Sequence, residues 1–129
     1  MTASLSSARI GVIGCGGWGR NLVRNFHDLG VLAAVHDRAP EAAAAMTRDV
    51  GVPARALEAI LDDPAIDGVA IAAPAEEHAQ LARRAIGAGK HVFVEKPLAL
   101  TAEEAETLTR QAEAKGVILM VGHLMQYHP

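Results

Sequence analysis

The sequence predicts an α/β fold: a doubly wound parallel sheet in three layers, with helices on both faces. Three observations predict it. Short apolar runs rich in β-branched residues alternate with longer segments of helical period. A glycine-rich turn follows the first of these runs at once. Half of the 129 residues are apolar but only 3% are aromatic, and 26 are alanine. A core of Val, Ile, Leu and Ala suits helices packed closely on a sheet.

The elements follow in order. Arg9 to Gly14 is too short for a stable helix and reads as the first strand. From Gly17 to Leu29, Trp18, Leu22, Val23, Phe26 and Leu29 recur at spacings of three and four, a helix that Gly30 stops. Val31 to Asp37 is the second strand, and Pro40 opens an Ala-rich helix ending at Gly51. Val52 to Arg55 gives a short third strand, which Pro53 confines to a sheet edge because it lacks the ladder donor. After a brief helix over Leu57 to Leu61, Asp67 to Ala73 forms the fourth strand. Pro74 opens the next helix, with Glu76 and Glu77 in its first turn and Arg83 and Arg84 near its end, as the macrodipole favours. His91 to Val94 is the fifth strand. Thr101 and Glu104 make a capping box for a helix running to Lys115, and Val117 to Gly122 is the sixth strand. The expected strand order is 3-2-1-4-5-6.

Composition narrows the function. Twelve Lys and Arg against fifteen Asp and Glu give a formal charge of −3, with no basic stripe for a phosphate backbone, so nucleic acid is not an expected partner. One cysteine excludes an intrachain disulfide framework and fits a reducing compartment. No apolar run approaches the ~20 residues of a membrane span, so a cytoplasmic protein is expected. His123 and His128, five apart, fall on different helix faces and make no metal pair, and no metal is expected. Residues 1–8 read as a disordered lead, 9–122 as one domain, and 123–129 as the start of a crossover.

Gly14-Cys15-Gly16-Gly17-Trp18-Gly19 matches G-x-G-x-x-G and lies between a strand and a helix, the context that motif requires. Gly14 permits the tight turn, Gly16 lets backbone N–H groups approach a pyrophosphate, and Gly19 lets the helix pack closely. Asp37, 18 residues after Gly19, ends the second strand where a carboxylate can accept from an adenosine ribose. A carboxylate repels a 2′-phosphate, which favours NAD over NADP, although the adjacent Arg38 could stack on adenine or hold a phosphate. The plainer role for Asp37 is a cap on the following helix. Cys15 reads as a small residue that fits the turn. Two further features sit at carboxyl ends of strands: Ala73-Pro74 with His78, and Glu95-Lys96-Pro97. Spacing alone leaves Lys96 open between a solvated loop cation and a group that bonds a substrate hydroxyl.

The segments GVIGCGGWGRNLVRNF, HD, AAPAEEH, VFVEKPLALTAEEAE and VILMVGHLMQYHP together resemble the N-terminal half of the Gfo/Idh/MocA oxidoreductases, and most of all members acting on nucleotide-linked sugars, of the UDP-N-acetylglucosamine or UDP-N-acetylglucosaminuronate 3-dehydrogenase type. The resemblance implies an NAD(P)-dependent dehydrogenase passing a hydride between a sugar carbon and nicotinamide. It implies that Gly14, Gly16, Gly17, Trp18 and Gly19 line the pyrophosphate loop and that Asp37 and Arg38 hold the adenosine end. Ala73, Pro74 and His78 would lie beside the nicotinamide half and Glu95 on the cofactor side. Lys96 would be the catalytic or substrate-orienting lysine, with Pro97 after a cis bond. The family continues into a second domain supplying the sugar pocket and the subunit interface, so the 129 residues are expected to bind cofactor without turnover. Met120, Leu124 and Met125 would then form an exposed apolar patch inviting self-association. Two rivals remain: a stand-alone NAD-binding redox sensor, which has no need of Lys96, and an AdoMet-dependent methyltransferase, whose sheet adds a reversed strand not seen here.

Overall fold

The computed structural model describes residues 8–122. The expected lead at 1–7 and the segment 123–129, with His123, Leu124, Met125 and His128, lie outside the described residues. Five parallel strands form one sheet: β1 (Ile10–Ile13), β2 (Leu32–His36), β3 (Gly68–Ile71), β4 (His91–Glu95) and β5 (Leu119–Gly122), in the order β2-β1-β3-β4-β5. The helices are α1 (Trp18–Asp28), α2 (Pro40–Val50), α3 (Leu57–Asp62), α4 (His78–Gly87) and α5 (Ala102–Lys115).

Alternation along each strand sorts side chains to the two faces. Ile13, Val69, Ile71, Val92 and Val94 pack with Ile60, Ile86 and Leu108 under α3, α4 and α5. Val12, Ala70 and Val35 pack with Val23 and Met46 under α1 and α2. Both faces of the central strands are therefore covered, as a parallel sheet requires. Gly30, Gly51 and Gly116 take positive φ at helix ends, as their sequence positions predict.

Three details differ from expectation. The third predicted strand is reduced to one bridge between Ala54 and Val35 on the outer edge of β2. Val35 N donates to Pro53 O and Arg55 N to Val35 O, at 3.0 and 2.9 Å, and Pro53 itself has no N–H with which to extend the ladder. With that strand removed, the expected order becomes the observed one. The helix predicted from Pro74 begins instead with a 3₁₀ turn at Ala75–Glu77 and becomes α-helical at His78. The capping box forms on one side only: the Thr101 hydroxyl accepts from Glu104 N at 3.1 Å, while the Glu104 carboxylate turns to Arg83.

Lys90, buried just before β4, donates from Nζ to the carbonyls of Asp63 and Ile66, both at 2.6 Å. This ties the loop after α3 to the sheet. Among the described residues, no helix is long and apolar enough to cross a membrane. Within the same residues, no group of three His, Cys, Asp or Glu side chains could hold a metal ion.

Candidate cofactor site

In this strand order the chain leaves β1 toward β2 on one side and later returns to β3 on the other, so the connections diverge above the carboxyl ends of β1 and β3. That divergence opens a crevice at the point where open α/β sheets take ligands. A cleft of about 660 Å³ lies there, bordered by Ile13, Gly14, Gly16, His36, Asp37, Arg38, Ala72, Ala73, Pro74 and Glu77. Its size falls within the range of small-molecule sites.

The glycine turn is seated on main chain. Gly14 has φ +103°, and a Cβ there would lie 2.7 Å from Ala72 C and 2.8 Å from Ala73 N. A Cβ on Gly19 would overlap the Gly14 carbonyl oxygen, so the close approach this glycine permits is to the turn itself as well as to the sheet. Gly14 N donates to His36 O at 2.7 Å and Ala72 N to Ile13 O at 2.8 Å, which extends both neighbouring ladders up to the turn. Gly16 differs: an added Cβ would meet nothing within 4 Å, so its open side faces the cleft and leaves room for a ligand to approach the backbone. No side chain caps α1 and its first turn holds no acid, so its positive end remains available to an anion.

The Asp37 carboxylate accepts from two backbone donors. One carboxylate oxygen accepts from Cys15 N at 2.7 Å, fastening the glycine turn to the end of β2. The other accepts from Ala39 N at 2.8 Å, ordering the entry to α2. A carboxylate has about four acceptor positions, so two backbone bonds leave capacity for ribose hydroxyls. Arg38 pairs with Glu77 at 2.6 Å and joins the two walls of the cleft.

Cys15 is buried, and its thiol donates to His36 O at 3.6 Å. Burial first, and the Asp37 carboxylate second, push its pKa up from 9.0 to about 11. At pH 8 the thiolate is therefore scarcer by about two orders of magnitude than in the unfolded chain. Folded protein is expected to react with a thiol-alkylating reagent about 100-fold more slowly than protein in denaturant. A rate equal to the denatured one would contradict the assignment. The raised value also adds stability below pH 9 that is lost as pH climbs through about 11.

His78 is buried and is not among the residues that border the cleft. Nδ1 is 2.7 Å from Pro97 O and Nε2 is 2.7 Å from Ala73 O, so the ring spans the loops that follow β3 and β4. A neutral imidazole donates to one of these carbonyls; a ring protonated on both nitrogens donates to both. Glu95 is half-buried and Lys96 exposed, and neither borders the cleft just described. Lys96 N donates to Gly122 O at 2.8 Å, and the Lys96–Pro97 bond is cis, as the resemblance implied.

Residues 8–123 match the family model described as an oxidoreductase family with an NAD-binding Rossmann fold. The chain belongs to the Gfo/Idh/MocA oxidoreductases. It is 34% identical over 122 residues to a UDP-N-acetylglucosamine 3-dehydrogenase of Acidithiobacillus ferrooxidans, covering 94% of this chain and 38% of that protein. It is 34% identical over 128 residues to an inositol 2-dehydrogenase of Paracoccus denitrificans, with the same two coverages. The solved structure of the Acidithiobacillus enzyme superposes with a TM-score of 0.86 over 95% of this chain and 40% of that one, at 34% identity. A 3-ketoreductase from Actinomadura kijaniata, solved in complex with NADP and TDP-benzene, superposes with a TM-score of 0.83 at 32% identity, over 95% of this chain and 39% of that one. The chain thus spans less than half the length of these relatives and corresponds to the NAD(P)-binding Rossmann domain of the Gfo/Idh/MocA family.

The structure brings Gly14, Gly16, Asp37, Arg38, Ala73 and Pro74 to one cleft. It also brings in residues the sequence reading passed over: His36, Leu57, Glu77, Gln80, Leu81 and Arg84. His36 could have been found, since it adjoins Asp37 at a strand end. Glu77, Gln80, Leu81 and Arg84 recur at helical spacing along one side of the segment after Pro74, a pattern visible in sequence but not attributable to a ligand without the cleft.

Proposed function

We propose that this chain is the cofactor-binding half of an oxidoreductase that passes a hydride between the hydroxyl-bearing carbon of a sugar or nucleotide-linked sugar and nicotinamide C4, with NAD preferred to NADP. The observation that carries this reading is the Asp37 carboxylate at the rim of the cleft, fastened to the glycine turn through Cys15 N. A carboxylate held there supports acceptance from ribose hydroxyls and repulsion of a 2′-phosphate. The open side of Gly16 leaves the room a pyrophosphate needs.

The bound nicotinamide supplies a two-electron hydride acceptor or donor. The turn at Gly14, Gly16, Gly17, Trp18 and Gly19 holds the pyrophosphate at the positive end of α1. Asp37 and Arg38 hold the adenosine end. Ala73 and Pro74 border the nicotinamide half, with Glu95 and Pro97 on the adjoining loop. Lys96 bonds the sugar hydroxyl and takes its proton as the hydride departs from carbon, or returns it in the reverse direction. The sugar pocket, and contacts between copies of the protein, belong to sequence outside these 129 residues. The greater length of the relatives supports that division. A cytoplasmic site, where dinucleotides are plentiful, fits this role.

Calorimetric titration of the chain is expected to give saturable NAD binding, tighter than NADP, with no sugar oxidation. Absence of binding by either dinucleotide would overturn the reading. In a protein carrying the substrate half, Lys96→Ala is expected to cut turnover by about 10²–10⁴ while NAD affinity holds. Undiminished turnover would overturn the catalytic role of Lys96.

A further inference from the structure

Two cations border the described cleft, Arg38 and Arg84, and each is matched to a carboxylate. Arg84 pairs at 3.2 Å with Glu58, whose side chain is turned to solvent outside the cleft. Arg38 pairs at 2.6 Å with Glu77, which itself borders the cleft. The Glu77 side chain is only 23% exposed, while that of Arg38 is 74% exposed. The carboxylate is thus the more buried member and the guanidinium the more exposed one. Arg38 follows Asp37 directly at the end of β2, so its guanidinium is the cation best placed to meet a 2′-phosphate on an adenosine held by Asp37.

We propose that Glu77 is a specificity-determining residue that enforces discrimination against a 2′-phosphorylated dinucleotide by sequestering Arg38. The inference rests on the cofactor reading above and adds to it a residue from the opposite wall. Glu77 occupies the guanidinium that would otherwise neutralise the phosphate, in a cleft that Asp37 already makes unfavourable to a dianion. The 3₁₀ turn at Ala75–Glu77 is what carries this acid to the rim, because it ends immediately above the buried His78.

The test is the ratio of NADP to NAD dissociation constants, measured by calorimetry for the chain and its variants at low ionic strength. Glu77→Gln retains the side chain's size and removes its charge. It is expected to shift the ratio about fivefold toward NADP, the size of one solvent-exposed ion pair. The shift should shrink as salt is raised. Adding Arg38→Ala to Glu77→Gln should return the ratio to near its starting value, since the gain operates through the freed guanidinium. A ratio unmoved by Glu77→Gln, or a shift that survives Arg38→Ala, would overturn the proposal while leaving the cofactor reading intact. If the unaltered chain binds neither dinucleotide, both fall together.

Discussion

Gly14→Ala is expected to destabilise the chain by about 3 kcal/mol or more and to remove dinucleotide binding from whatever remains folded. Two independent penalties combine. At φ +103° an L-residue is strained, which alone costs about 1–2 kcal/mol. The new Cβ would also sit 2.7–2.9 Å from Ala72 C, Ala73 N and Ala72 O, which are main-chain atoms held by the ladder and cannot turn aside. Relief requires separating the turn from the end of β3, and that displacement breaks the bond from Cys15 N to Asp37 as well. Urea denaturation followed by circular dichroism measures the first consequence and calorimetry the second. Gly16→Ala is the informative contrast. Its Cβ meets open space, so it should leave the unfolding midpoint within about 0.5–1 kcal/mol while weakening NAD, because the methyl enters the space reserved for the ligand. Equal stability losses at the two positions would refute this account of the turn.

His78→Phe should cost about 2–4 kcal/mol of stability and loosen two loops at once. Phenylalanine retains a planar ring in the buried position, so the loss isolates the polar contacts from the packing. The carbonyls of Pro97 and Ala73, each 2.7 Å from a ring nitrogen in the native chain, would be left facing an apolar edge. Hydrogen exchange is the decisive measurement: amide protection near residues 72–75 and 96–99 should fall together, beyond the change in the distant α2. An even loss of protection across the chain would make His78 an ordinary core residue rather than a link between the loops.

Much of the sheet was legible because its residues answer to periodicity. Val12 and Ile13, or Ala70 and Ile71, alternate between two cores, and β-branched runs that short have few other stable conformations. At Val52–Arg55 the sequence marks an edge through Pro53, but only the three-dimensional structure shows that the segment makes a single bridge, Ala54 to Val35. The glycine turn was legible because its spacing carries a geometric meaning. His78 was harder. Its place came from the resemblance alone, and the helix expected from Pro74 begins with the 3₁₀ residues Ala75–Glu77, which advance about 120° per residue instead of 100° and so turn His78 by about 60° relative to a continuous α-helix. Glu77 was read as a helix-start acid, a role that macrodipole logic supplies without reference to Arg38. Nothing in linear spacing links two residues 39 apart across a crevice.

The seat of the glycine turn has a consequence for how this domain tolerates change. Gly14 rests on the backbone of Ala72 and Ala73, and Gly19 rests on Gly14, so apart from the Asp37 carboxylate the turn takes its position from peptide groups. Peptide dimensions are the same in every sequence. Substitutions that swell or shrink the two cores can shift α2 or α4 by tenths of an ångström while the anion-facing amides stay in register with the strand ends. The interior is thereby free to drift through mutation without recalibrating the site, provided two positions keep no side chain at all.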